Sequence, residues 1–185
     1  MVKIGITGHR AFVDREKIIT GIEQALLFIA GRYPNQSWMV YSSCAEGADR
    51  LVVDRIRLFK PDVRLVIPLP LPIDDYLQDF ALPESRFEFL QLVGQAAEII
   101  PPQNPLPRPD CYSASGHAIL TNSDVLIALW DGWAARGPGG TAEVVTSARL
   151  LALPLIWVYC PRQESESPPS ENPVPETGTV FYEGF

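Results

Sequence analysis

The chain has 185 residues, of which 46% are hydrophobic and 20% charged, and its formal net charge at pH 7 is −7. These values are typical of a single globular domain with a sizeable core, and the acidity disfavours broad nucleic-acid binding, which relies on lysine and arginine. Because the sequence shows neither a membrane-length apolar run nor a signal segment, we expect a cytoplasmic protein with no membrane partner and with reduced cysteines.

Apolar runs alternate with segments of helical periodicity along residues 1–160. Strands are predicted at Val2–Ile6, Trp38–Tyr41, Val63–Ile67, Glu98–Ile100, Asp124–Trp130 and Leu155–Tyr159. Helices are predicted at Asp14–Ala30, Ala48–Phe59, Pro83–Ala97, Tyr112–Leu120 and Thr141–Leu151. Unbroken apolar strands separated by helices are typical of a parallel sheet covered on both faces. The predicted fold class is therefore α/β, a Rossmann-like, doubly wound and mainly parallel sheet.

A proline-rich run interrupts this alternation after the third strand. The run Pro68–Pro72 predicts neither helix nor strand pairing, because proline lacks the backbone donor and fixes φ. The polar residues that follow, Asp74 and Asp75 with Tyr76, are expected in a solvated loop, with closure over a ligand site as the alternative.

The composition changes again near residue 160. From Pro161 the sequence is rich in proline, serine and glutamate, so we predict a folded domain over residues 1–160 and a tail over residues 161–185. The tail ends in an aromatic segment, Val180–Phe185. This segment either docks on the domain or on a partner subunit, or it is a frayed end.

The first loop that carries chemistry follows the first strand. Doubly wound sheets bind ligands beyond the carboxyl ends of their strands, so the residues after each strand are the candidates. Here these are Thr7, Gly8, His9 and Arg10. Gly8 lets the backbone approach a ligand, Thr7 offers a hydroxyl, and Arg10 can bind phosphate through its planar guanidinium. The alternative is a tight turn with an exposed arginine.

The second loop runs from Ser42 to Arg50. Its small residues, among them Ser43 and Gly47, leave room for a ligand before the next helix begins. Glu46 and Asp49 can accept hydrogen bonds from sugar hydroxyls, although helix capping is favoured for Asp49. We interpret Cys44 as an inert loop residue.

The third loop, after the strand that ends at Trp130, gives the strongest signal. Asp131 is followed by a glycine cluster that ends in Gly139 and Gly140, and Thr141 then opens a helix. Successive glycine amides at a helix N-terminus favour an anion. Glu143, in the first turn of that helix, is placed to face a ligand.

A histidine lies in the predicted helix before this strand. His117 is one of two histidines in the chain and follows Tyr112, Ser115 and Gly116. We include it as a candidate ligand contact, while a structural role is the more frequent one for a single histidine on a helix.

These loops together resemble the SLOG superfamily, which includes the LOG phosphoribohydrolases (also called lysine-decarboxylase-like proteins) and the DNA-processing protein A family. Three segments of residues 1–160 carry the resemblance: Gly8-His9-Arg10, Ser42 to Asp49, and Gly139-Gly140-Thr141-Ala142-Glu143. The resemblance implies that the first strand lies beside Asp124–Trp130, that the third loop holds phosphate, that Glu143 is the catalytic glutamate, and that the chain is a homodimer.

Two departures from the phosphoribohydrolase pattern favour binding over hydrolysis. The glycine loop is shorter, and Gly116-His117 stands where those enzymes carry an Arg-Lys pair. The leading hypothesis is therefore a nucleotide-binding protein, with nucleotide sensing as its candidate role, that needs no cofactor and no metal.

Two other hypotheses stay open. The first is an N-glycosidic enzyme with Glu143 as acid/base or nucleophile and with Asp131 or Glu46 on the sugar. It would be a nucleoside monophosphate phosphoribohydrolase or, from the similarity of 124–143 to nucleoside 2-deoxyribosyltransferases, a transferase. The second is a DNA-associated protein, which the acidic charge disfavours.

Overall fold

The structure, a computed structural model, describes residues 1–103, 106–134, 139–162 and 174–185. These residues build one sheet in the order β4-β3-β2-β1-β5-β6-β7. Its strands are β1 (Val2–Gly8), β2 (Trp38–Tyr41), β3 (Arg64–Pro68), β4 (Glu98–Ile100), β5 (Val125–Trp130), β6 (Leu155–Tyr159) and β7 (Val180–Glu183). The helices are α1 (Arg15–Arg32), α2 (Ala48–Phe59), α3 (Ile73–Tyr76), α4 (Pro83–Gln95), α5 (Arg108–Thr121) and α6 (Thr141–Leu150).

The predicted fold class is confirmed. Strands β1 to β6 pair in parallel, and β7 pairs antiparallel with β6. Each helix and strand predicted within residues 1–160 is present, with its ends either as predicted or shifted by a few residues. The largest shift is at α5, which begins at Arg108 because a proline fits the first turn of a helix, where no amide donor is needed.

The prediction for the proline-rich run is wrong at Pro68 and confirmed for residues 69–72, which form neither helix nor strand. Pro68 is the last residue of β3 and lies in register with Ile100. It is tolerated because the next amide, that of Leu69, donates to the Ile100 carbonyl at 2.9 Å. The segment after the run forms the short helix α3 rather than a loop, and Tyr76 is buried, but Asp74 and Asp75 are exposed to solvent as expected.

The core consists of two hydrophobic layers, one on each face of the sheet. Helices α1, α2 and α4 cover one face, and α5 and α6 cover the other. Along β5, alternate residues therefore enter different layers: Val125, Ile127 and Leu129 face α1 and α2, while Leu126, Ala128 and Trp130 face α5 and α6. Burial on both faces explains why this strand reads as an unbroken apolar run.

Strand β1 occupies the centre of the sheet, between β2 and β5. The chain builds the sheet outward from β1 to β4 and then returns to the other side of β1 with β5. The strand order thus reverses between β1 and β5, so the loops that follow these two strands lie side by side.

The aromatic end of the chain belongs to the sheet. Strand β7 lies beyond residue 160, and Phe181 stacks on Trp157 of β6 with ring centroids 4.0 Å apart. The Glu183 carboxylate accepts hydrogen bonds from Arg149 and from the Trp157 indole, and the bond with Arg149 lowers the pKa of Glu183. Because β7 covers the edge of β6, Val180–Glu183 extends the sheet of the folded domain.

In the part of the chain that the structure describes, no helix is long and apolar enough to cross a bilayer.

The Trp157–Phe181 stack should contribute measurably to stability. We expect Phe181→Ala to lower the free energy of unfolding by about 1–3 kcal/mol, because it removes a half-buried aromatic pair. The measurement is urea unfolding followed by tryptophan fluorescence. The control is Phe87→Ala, since Phe87 is 63% exposed. Equal losses in the two variants would contradict a structural role for β7.

Candidate functional site

A cavity of about 320 Å³ opens at the carboxyl ends of β1 and β5, where the strand order reverses. Eight of the predicted ligand-binding residues line it: Thr7, Gly8, His9, Arg10, Ser43, Gly139, Gly140 and Thr141. The other predicted site residues, namely Glu46, Gly47, His117, Asp131 and Glu143, do not line it. A cavity of this size accommodates a small ligand.

Gly8 controls how closely the elements around the cavity approach each other. A Cβ atom at Gly8 would overlap Ala48 and would lie 2.9 Å from the Leu129 side chain. The Ala48 amide donates to the His9 carbonyl at 3.0 Å, so α2 begins directly against the first loop. Gly8 is therefore required for packing, independently of any ligand.

The His9 side chain connects the first loop to the third. It is 7% exposed, and its Nε2 atom accepts a hydrogen bond from the Asp131 amide at 3.1 Å. The same atom lies 3.2 Å from Oδ1 of the Asp131 carboxylate. The His9 amide also donates to the Leu129 carbonyl, which continues the pairing of β1 with β5. His9 is thus held rigidly at the cavity wall.

Asp131 lies behind this wall as a buried carboxylate. Its Oδ1 atom accepts from the Trp133 amide at 3.0 Å, and its Oδ2 atom is 2.8 Å from Arg162 Nε, a charge contact without hydrogen-bond alignment. Burial opposes ionisation, but the contact with His9, the hydrogen bond from the Trp133 amide and the charge of Arg162 outweigh it and lower the pKa of Asp131. Asp131 therefore positions His9 and Arg162.

Asp49 reaches the cavity from the first turn of α2. Its Oδ2 atom accepts from the Ser42 hydroxyl at 3.0 Å and from the Ala45 amide at 3.3 Å. Burial nevertheless raises the pKa of Asp49 to about 6. Asp49 therefore bonds the loop before α2 rather than capping the helix as expected, and it lines the cavity.

The neighbouring thiol, that of Cys44, is unreactive. Cys44 is buried in the left-handed region at φ 53°, and burial raises the pKa of its thiol to about 12. The thiol therefore stays protonated near neutral pH, as expected of an inert loop residue.

Two hydroxyl groups meet on another wall of the cavity. The Ser43 and Ser115 Oγ atoms lie 2.7 Å apart, and each lies 2.9 Å from the Pro68 carbonyl oxygen. The end of β3 thereby joins the β2–α2 loop to α5. These serines present polar atoms to a ligand from fixed positions.

Glu46 and Gly47 face away from the cavity. Gly47 has a positive φ of 81°, and a Cβ atom there would overlap the Arg10 carbonyl. The Glu46 carboxylate accepts from the Ser85 hydroxyl, on the far side of the loop. Gly47 thus lets the second loop pack on the first, and the structure does not bring Glu46 to the sugar position assigned to it from the sequence.

The third loop reaches the cavity through the start of α6. The part of the glycine cluster before Gly139, including Gly137, lies outside the described residues. The Gly139 amide donates to the Glu143 Oε2 atom at 2.7 Å, so this predicted phosphate donor is already bonded within the protein. Gly140 and Thr141 line the cavity where the helix begins.

The helical phase of α6 directs Glu143 away from the cavity. The next residue, Val144, lines the cavity instead. Glu143 and the exposed His117 line a second groove of about 320 Å³, which lies between α5 and α6. The structure therefore brings the catalytic candidate and the histidine together, but outside the cavity of the first loop.

The cavity is also lined by side chains that were not among the predicted binding residues, and three of them are large and polar. Arg162 lines it directly after β6, and Tyr76 and Tyr112 line it from α3 and α5. Arg162 follows β6, which neighbours β5, and this position after a strand could have identified it as a binding candidate. Because the composition becomes polar from residue 161, it was instead assigned to the tail. Whether the two tyrosines reach the cavity depends on where α3 and α5 pack.

No protein-family model matches the chain, and no curated protein matches it. Among solved structures, the chain is similar to DNA processing protein A from Helicobacter pylori, described with its single-stranded DNA binding mode. The identity is 18%, the TM-score is 0.57, and the match covers 90% of this chain and 68% of that chain. The likeness establishes the shared fold, as the resemblance to the SLOG superfamily predicted.

The chain is also similar to the X-ray structure of TM1055, a structural genomics target. The identity is 18% and the TM-score 0.49, over 84% of this chain and 72% of that chain. We draw no conclusion from a likeness this weak.

Asp49 should make the stability of the chain depend on pH. Its pKa is about 6 in the folded state and about 3.9 in an unfolded chain, so the folded state binds more protons between these pH values. Stability therefore falls as the pH rises from about 4 to about 6. Asp49→Asn keeps an oxygen to accept from Ser42 and Ala45 and removes the charge.

We expect Asp49→Asn to be more stable than the wild type at pH 7, with a difference that disappears near pH 4. The measurement is urea unfolding over this range. The control is Asp62→Asn, since Asp62 is exposed. A difference that does not change with pH would show that burial of the Asp49 charge is not its cause.

Proposed function

We propose that this chain binds a phosphorylated, nucleotide-like ligand in the cavity at the carboxyl ends of β1 and β5. The observation that carries the proposal is that the Gly8 loop and the N-terminus of α6 line one cavity where the strand order reverses. Open parallel sheets hold their ligands at this position.

The phosphate is held at the start of α6 in this proposal. Backbone amides at the beginning of a ten-residue helix, next to Gly140 and Thr141, favour a negative charge. Arg10 and Arg162 line the same cavity and supply two guanidinium groups. A locally positive site of this kind is compatible with the overall charge of −7.

The remaining walls suit a sugar and a base. Ser43, Ser115 and Asp49 present hydroxyl and carboxyl oxygens that can bond sugar hydroxyls. Tyr112 is half-buried and presents aromatic surface against which a base can pack. Apolar walls with a few placed polar groups are the usual composition of small-molecule sites.

Nucleotide binding should raise the melting temperature of the chain. At about 100 times its dissociation constant, a ligand stabilises the fold by about 2.7 kcal/mol, which for this size is a rise of roughly 5–10 °C. The measurement is thermal unfolding with AMP, ADP, GMP, CMP, ADP-ribose, NAD and no ligand. A flat panel would contradict the proposal.

A matched pair of arginine variants locates the site. Arg10→Gln should weaken binding of the active nucleotide by about tenfold or more, because a hydrogen bond between charged groups is lost. Arg64→Gln should leave binding unchanged, since Arg64 is exposed at the amino end of β3, opposite the cavity. Equal effects of the two substitutions would place the ligand elsewhere.

Cleavage of an N-glycosidic bond is the second candidate function, and one observation favours it. Asp49 is the one carboxylate among the described residues that line the cavity, and its pKa of about 6 suits proton transfer near neutral pH. Glu143, which the family resemblance implies as the catalytic residue, lines the second groove. If the chain is an enzyme, Asp49 is the acid or base in this proposal.

This alternative makes opposite predictions for two carboxylates. With AMP as substrate and released adenine measured by chromatography, Asp49→Asn should lose about 10²-fold or more of the rate, while Glu143→Gln should retain it. Loss in Glu143→Gln alone would restore the role that the resemblance implies. Absence of adenine release from the wild type would leave binding as the function.

A further inference from the structure

A carboxylate that neither proposed activity uses lies beside the cavity, against the lining residues Arg10 and Tyr112, at a place that we call the cavity mouth. Asp79 ends the 3₁₀ turn Leu77–Asp79, which lies between two buried aromatic residues, Tyr76 and Phe80. These two rings lie 5.0 Å apart, and both contact Phe89 of α4 at 5.3 Å. The turn is therefore fixed on both sides, and the Asp79 side chain is 15% exposed.

Three donors from separate parts of the chain converge on this carboxylate. The Tyr112 hydroxyl and the Arg108 guanidinium, both from the start of α5, hydrogen bond to Asp79. The Arg10 guanidinium, from the first loop, lies 3.5 Å from its Oδ2 atom. Burial and the bond with Asp79 raise the pKa of Tyr112 to about 12, so its hydroxyl remains a donor. Arg10 and Tyr112 themselves line the cavity.

The position of Tyr112 relates this cluster to the proposed phosphate site. A Cβ atom at Gly139 would overlap the Tyr112 Cβ atom, so the third loop packs directly on Tyr112. A phosphate at the start of α6 is thus next to the ring whose hydroxyl bonds to Asp79. A further phosphate that extends from there towards Arg10 approaches the Asp79 charge.

We propose that Asp79 determines the charge at the cavity mouth and thereby restricts the ligand to one that carries a single phosphate. Asp79 pairs with Arg10 and Arg108, so one carboxylate compensates two cations that would otherwise attract a second phosphate. It acts through these arginines and is a positioning residue for specificity. This inference rests on the proposed nucleotide binding and adds to it the number of phosphates.

The experiment compares AMP with ADP by isothermal titration calorimetry on the full chain. In Asp79→Asn, the affinity for ADP relative to AMP should rise by about tenfold, because the arginines are released and a repelling charge is removed. Asp79→Glu should retain the wild-type ratio. A merely structural role of Asp79 would change the affinities for both nucleotides together and leave their ratio constant.

A second substitution changes the charge in the opposite direction. Arg108 is 48% exposed, so Arg108→Gln is expected to fold even if Asp79→Asn does not. The substitution leaves the negative charge of Asp79 less compensated, and it should therefore lower the affinity for ADP relative to AMP. If both variants bind nucleotides with the wild-type ratio of ADP to AMP affinity, the role of Asp79 is overturned while the proposed function stands. A wild-type chain that binds neither nucleotide overturns the proposed function and this inference with it.

Discussion

Five residues of β1 lie in register with β5, from Ile4 opposite Val125 to Gly8 opposite Leu129, and the His9 amide extends the ladder by one more bond. This pairing joins strands that are far apart in the sequence. Because both strands run in the same direction, their carboxyl ends meet at one edge of the sheet. The first and third loops therefore share a cavity, although each is built from local sequence.

A glycine in β1 also allows close packing on the face of the sheet that α5 covers. A Cβ atom at Gly5 would lie 2.7 Å from Ser123 Oγ and 2.9 Å from Ile119 Cγ2, distances too short for α5 to keep its position. With glycine there, α5 packs close to the sheet, and its earlier residues Tyr112 and Ser115 reach the cavity. The fold thus determines the cavity through two close approaches, at Gly5 and at Gly8.

Part of this could be predicted from the sequence, since periodicity identifies buried strands and helices, and the carboxyl ends of strands identify the loops. Which face of a helix meets the cavity depends on a rotation that motif spacing does not specify, so Glu143 was assigned to the site where the structure has Val144. Asp79 was missed for another reason: its partner Arg10 is distant in sequence. Contacts of this kind follow from tertiary packing and leave no local pattern.

The charges around the cavity show how the site can be selective without being strongly positive. Each arginine that lines the cavity already has a carboxylate partner, Asp131 for Arg162 and Asp79 for Arg10. The binding free energy that a ligand phosphate gains from these arginines is therefore only the difference between its own bonds and those that it replaces. At the start of α6, the Glu143 carboxylate accepts from the Gly139 amide and partly offsets the helix dipole, so in the proposed function the anion is oriented by the amides at Gly140 and Thr141. In the proposed function, selectivity comes from the compensated arginines, which disfavour anions that need more charge than the helix N-terminus supplies.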